Sequence, residues 1–114
     1  MRVTIRSPHV TLEDSEREHL SEAVKHALAH VESRVTSVQV HVADLNGPKG
    51  GVDKQCELVA NCGKLGVLRT DATAGEIRAA GDKAVAKLRR AVEHAVDHKR
   101  GERKARAPHR RTEK

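Results

Sequence analysis

The sequence predicts an α+β fold in the order β-α-β-β-β-α, a four-stranded sheet with two helices packed on one face. Two patterns carry that expectation. Apolar residues recur at i, i+3, i+4 and i+7 in two long stretches, and alternate with polar ones in shorter stretches between them. Strands that alternate have one wet face, which places both helices on the other side of the sheet.

Val3 and Ile5 alternate with Arg2, Thr4 and Arg6 in a first strand that Ser7 and Pro8 end. Thr11 followed by Asp14 resembles a capping box, and Leu20, Ala23, Val24, Ala27, Val31 and Val35 then repeat at helical spacing, predicting a first helix over residues 12–33. Val38, Val40 and Val42 alternate with Gln39 and His41 in a second strand. DLNGPKGGVDK then supplies a Gly/Pro-rich loop, and KQCELVA a third strand. Asn61 to Lys64 can turn the chain into a fourth strand near residues 65–72, of undetermined inward parity. Thr73 with Glu76 forms a TxxE capping box for a second helix running to about Lys99, with Gly101 as its stop. The first crossover should be right-handed and parallel, and strands two to four antiparallel hairpins. Residues 1–100 would form the folded domain, and 101–114 a basic tail with no apolar face, expected to be disordered.

The chain of 114 residues has no Phe, Tyr or Trp, so its single core must be built from Val, Leu, Ile and Ala. No apolar run approaches membrane-spanning length, and MRVTIRS has no signal-peptide profile, so a cytoplasmic protein with no membrane partner is expected. Cys56 and Cys62 match no CxxC motif. On one extended segment they would stand about 20 Å apart, far outside disulfide range, which fits reduced structural thiols.

The net charge of +6 is unevenly spread. Residues 11–35 hold six acids against three bases, whereas residues 83–111 hold eleven bases against three acids. A basic C-terminal half on an acidic remainder is the footprint of a polyanion binder. In GDKAVAKLRRAVEHAV, residues 81–96, and the turn before it, one apolar sector collects Ile77, Ala80, Ala84, Leu88, Ala91 and Ala95, widened by Val85 and Val92. Lys83, Lys87, Arg90 and His94 share a second sector. Like charges one turn apart repel slightly, and Lys and Arg are also ordinary residues of a solvated helix face, so the stripe alone leaves binding and solvation evenly matched.

RVTIRSPHVTLEDSEREHLSEAV, the NCGKLGVL turn and AAGDKAVAKLRRAV together resemble the ribosome hibernation promoting factor family, also called ribosome-associated inhibitor A or sigma modulation protein. The likeness spans residues 1–99. Its carriers are His9 and Val10 before the capped helix, the Arg17-Glu18-His19-Leu20 segment, and Lys87-Leu88-Arg89-Arg90. The resemblance implies a short form that binds the small ribosomal subunit in the mRNA and tRNA channel under stress and silences translation reversibly. It also implies that basic residues of the second helix, Lys87 and Arg90 here, grip rRNA phosphates. The chain departs from the family at Arg78, where an aromatic is common, and at Gly81, where a larger apolar residue is usual. It carries His19, His26 and His30 where the family has lysines along the first helix. The long form's dimerisation domain has no counterpart, so a monomer that does not itself pair ribosomes is expected.

Without aromatic rings for base stacking, RNA would be bound through phosphate pairing and shape. Lys83, Lys87 and Arg90 are the expected primary contacts, with Arg89, His94, Arg103, Lys104, Arg106, Arg110 and Arg111 secondary. His26/His30 and His94/His98 stand one turn apart, a spacing that can bind a metal, but Ala27 and Ala95 occupy the Glu position of an HExxH motif. Solvated histidines are the expected reading, with no metal or cofactor. GPKGG lacks the Walker ending and no nucleophile setting is present, so neither catalysis nor a small-molecule substrate is expected. The competing reading is a protein-interaction or stress adaptor module using the wet sheet face around Arg6, His41 and Glu57.

Overall fold

The computed structural model describes residues 1–45 and 54–106, with side chains up to residue 98. Strand β1 (Arg2–Arg6) is followed by helix α1 (Asp14–Ala27) and a 3-10 segment (Ala29–Arg34). β2 (Ser37–Asp44), β3 (Lys54–Asn61), β4 (Val67–Ala74) and α2 (Ile77–Arg106) complete the order β-α-β-β-β-α. The sheet runs β1-β2-β3-β4, with β1 parallel to β2 and the other two pairs antiparallel.

Register explains why one face is apolar. Val3, Val38, Ala60 and Leu68 form one cross-sheet row, and Ile5, Val40, Leu58 and Thr70 the next. Val42, Cys56 and Ala72 form a third. Leu68, Thr70, Ala72 and Ala74 are the inward residues of β4, which settles the parity that periodicity left open. Thr70 is the polar member of the second row, and its hydroxyl donates to the Ala84 carbonyl of α2 at 3.0 Å. The opposite face carries the row Arg6, His41, Glu57, Asp71.

The first helix is shorter than its periodicity suggests. It starts at Asp14 under a capping box formed by Glu13 and Glu16, not Thr11 and Asp14, and the Glu13 N–H donates to Glu16 Oε1 at 2.9 Å. It ends at Ala27, and Val31 has non-helical angles (φ −125°, ψ 21°). The tighter 3-10 turn superposes positions three apart, so Leu28 and Val31 both reach the core. Strand β4 lies two residues later than expected. Thr73 pairs with Gln55 inside the ladder, so it cannot cap α2; instead the Glu76 carbonyl accepts the Ala80 N–H at 3.0 Å.

Helix α2 also differs from expectation at its far end, because it passes through Gly101 to Arg106. One glycine costs a formed helix only about 1 kcal/mol, too little to stop it by itself. Residues 101–106, expected in the tail, are part of this helix, and residues 107–114 lie outside the described residues, as does most of the Gly/Pro loop. The buried stripe of α2 comprises Ile77, Ala80, Gly81, Ala84, Val85, Leu88, Val92 and Val96. It is rotated toward Val85 and Val92, leaving Ala91 and Ala95 half-buried. Gly81 stands where α2 meets α1: a Cβ there would collide with the Leu20 side chain, which is itself 1% exposed.

Both cysteines are buried and free, and burial pushes the Cys56 thiol up to about 12 and raises that of Cys62. An ordinary thiol ionises near 9.0, so above that pH the unfolded chain binds fewer protons than the native one and stability falls as pH rises toward 12. In the native protein at pH 8 both thiols should resist a disulfide reagent that modifies them at once in denaturant, and the alkaline unfolding midpoint should rise in Cys56→Ala relative to its neutral-pH stability. Leu88 is 0% exposed, and Leu88→Ala should cost about 2 to 5 kcal/mol and lower the thermal midpoint by about 8 to 20 °C. Far-ultraviolet dichroism checks this.

Candidate nucleic-acid interface

The two flanks of α2 have opposite electrostatic fates. Toward α1, His19 Nε2 meets Asp82 Oδ1 at 2.8 Å, and His30 Nε2 meets Glu93 Oε2 at 2.9 Å. His19 belongs to α1 and His30 to the 3-10 segment that follows it, and their partners come in the same order along α2, so α1 and α2 run in the same direction side by side. Arg89 Nε donates to the same Glu93 oxygen at 3.2 Å. That hydrogen bond is the largest influence on Glu93; desolvation opposes it, His30 reinforces it, and the carboxyl is held below its ordinary value of 4.5.

Lys83, Lys87, Arg90 and His94 are all exposed on successive turns of one face, whose Arg90 also borders the depression between α1 and α2 with Ala27, Asp82 and Glu93. The His94 and His98 rings stack with centroids 6.3 Å apart, extending that face by a turn. Among the described residues, Lys83 and Arg90 pair with no carboxylate. Lys87 reaches around the sheet edge and donates to the Asp71 carbonyl of β4 at 2.9 Å. A lysine ammonium has three donors, so two remain for an outside acceptor while the third fixes its position. The bond also covers a carbonyl of the edge strand.

The structure thus brings together four of the residues expected to bind RNA and separates a fifth. Arg89 lies on the α1 flank, engaged with Glu93. Arg103 and Lys104 follow in the same helix with Arg106 at its end, their side chains beyond those described, and Arg110 and Arg111 lie outside the described residues. The histidine stripe of the first helix divides: His19 and His30 join the helices, and His26 is exposed. Among the described residues no three His, Cys, Asp or Glu side chains are grouped to hold a metal.

A second basic cluster was invisible in the periodicity. Arg6 at the end of β1, its cross-strand neighbour His41 and Arg17 of α1 line one depression with Ser7 and Pro8. Helical and strand spacing cannot show this, because the three belong to different elements; the parallel β1/β2 register is the signal that pairs two of them.

The family model for sigma 54 modulation protein / S30EA ribosomal protein matches residues 3–100. The chain belongs to that family. Its members are ribosome-associated modulation factors, generally non-catalytic, and ribosome association implies the cytoplasm. No helix among the described residues is long and apolar enough to cross a membrane. A ribosomal subunit interface protein from Coxiella burnetii superposes with a TM-score of 0.70 at 12% identity, covering 82% of this chain and 96% of that one. The N-terminal domain of Thermus thermophilus Protein Y superposes with a TM-score of 0.67 at 17% identity, covering 82% and 98%. At these identities the likeness is one of fold. No curated protein matches the chain significantly.

The lowered Glu93 carboxyl makes a prediction with a definite sign. A carboxylate depressed in the native state stabilises at neutral pH, and the contribution disappears as pH falls through its native value, below 4.5. Carbon-13 titration of the Glu93 side chain should report a midpoint below that of an exposed glutamate. Glu93→Gln should narrow its stability deficit against the parent protein as the pH approaches 3.

Proposed function

We propose that this protein occupies the small ribosomal subunit and inhibits translation by blocking the channel used by mRNA and tRNA, with Lys83, Lys87, Arg90 and His94 facing rRNA phosphates. The observation that carries the reading is the exposed cationic face of α2. Its lysines and arginine make no ion pair among the described residues, whereas Asp82 and Glu93 of the same helix are engaged by His19, His30 and Arg89. Family membership supplies the ribosome, and the chain's chemistry supplies the manner of contact. With no Phe, Tyr or Trp in the sequence, stacking of bases on large aromatic rings is unavailable, and phosphate pairing on folded RNA is the main mode of contact left. Arg103, Lys104 and Arg106 would lengthen the contact along the same helix, and the protein would act as a monomer during stress. Arg89 is not part of the primary contact, because Glu93 holds it.

Two outcomes follow. Lys87→Glu combined with Arg90→Glu should leave the thermal midpoint within a few degrees of the parent, since exposed charges rarely contribute more than about 0.5 kcal/mol, yet release the protein from small subunits in sedimentation. A folded double variant that still comigrates at physiological salt would overturn the assignment. Affinity should also fall steeply with salt, with a log-log slope of about −0.7 to −0.9 for each phosphate neutralised, the range from single strands to duplex DNA, and about four to six contacts in all.

A further inference from the structure

The depression between β1, β2 and α1 is unrelated to the α2 stripe and has its own composition. Arg6, Ser7, Pro8, Arg17 and His41 line an open depression of about 390 Å³, and no acid is among them. Two arginines and a histidine from three separate elements therefore border one concavity. Among the described residues neither Arg6 nor Arg17 makes an ion pair, although α1 offers Glu13, Asp14, Glu16 and Glu18 close by in sequence. Glu57 and Asp71 continue the row of Arg6 and His41 across the sheet but stand on β3 and β4, outside the concavity.

The wall is held in place. The Val10 N–H donates to the Ser7 carbonyl at 3.4 Å, closing a turn over Pro8 and His9. Val10 packs on the core and Leu12 is 8% exposed, so the segment is pinned immediately beyond the turn. The backbones of Arg6 and His41 are fixed by the parallel ladder. Guanidinium forks on a rigid frame match a tetrahedral oxyanion bidentately, and a hydroxyl from Ser7 is available beside them.

We propose that this concavity is a phosphate-binding site, distinct from the α2 face and placed at the other edge of the sheet. Lys87 is anchored on β4 and Arg6 on β1, three strand spacings apart, or about 14 Å. A phosphate held by Arg6 and Arg17 cannot be one that Lys87 also touches. The group bound is either a backbone phosphate of folded RNA that surrounds the domain or a free phosphate or phosphate ester.

The test is titration of the isotope-labelled protein with inorganic phosphate against chloride at constant ionic strength, following backbone amide shifts. Saturable shifts confined to Ser7, Arg17 and His41, absent at Lys83 and Lys87, are expected. In the Arg6→Gln, Arg17→Gln double variant the affinity should drop about tenfold or more, each lost charged hydrogen bond being comparable to one decade. Both arginines are exposed, so the fold should persist, and the unperturbed spectrum elsewhere verifies it. Shifts that are linear, spread over both basic regions, or unchanged in the double variant overturn the site. Sedimentation with small subunits then identifies the source: weakened comigration of the double variant assigns an RNA phosphate, and unchanged comigration with lost phosphate shifts assigns a free anion. The phosphate titration contains no ribosome, so its result stands apart from the reading of the α2 face.

Discussion

With no Phe, Tyr or Trp in 114 residues, this core is filled by aliphatic side chains and two cysteines, and it depends on Leu20 lying over Gly81, where α1 meets α2. Removing the Cβ at position 81 lets α2 settle against α1 while both reach the strands below. The larger apolar residue usual in the family at this position would need Leu20 to move. The approach also brings His19 within reach of Asp82 and His30 within reach of Glu93, interactions that depend on the interhelical distance.

That geometry divides the charge of α2. Asp82 and Glu93 on one flank are hydrogen-bonded by His19, by His30 and by Arg89, which holds them toward that flank. A helix with mixed charge in sequence becomes, in the fold, a surface whose outward side is positive. The division is a consequence of packing, since on an isolated helix Glu93 would be free to pair with Arg90 three residues before it. Long-range attraction of a polyanion and local hydrogen bonding of acids are thus two effects of one helix pair.

Comparison of sequence with structure shows where periodicity carries information and where it stops. Alternation in Val38, Val40 and Val42 identified the inward face of β2 because one face of the sheet is wet. It failed on β4, where Thr70 faces inward and Arg69 outward within a run of mixed polarity, and only the register with β3 decides. Local capping motifs failed twice, at Thr11 and at Thr73. Thr73 has a ladder partner in Gln55, and a motif read in isolation does not include such a competitor. Gly101 shows the same limit from the other side, since a weak local stop does not end a helix already formed.

The amino-acid sequence by itself determined the element order, the wet and dry faces of β2 and β3, the polarised charge and the cationic stripe of Lys83, Lys87, Arg90 and His94. Each of these follows from spacing within one element, where the 3.6- or 2-residue period maps position onto direction. Tertiary structure alone decided that Arg89 belongs to Glu93 rather than to the stripe, that Lys87 is steered by the Asp71 carbonyl, and that Arg6, Arg17 and His41 share one concavity. These depend on distances between elements, which are set by how closely small side chains allow the backbones to approach, and no period within a single segment encodes them.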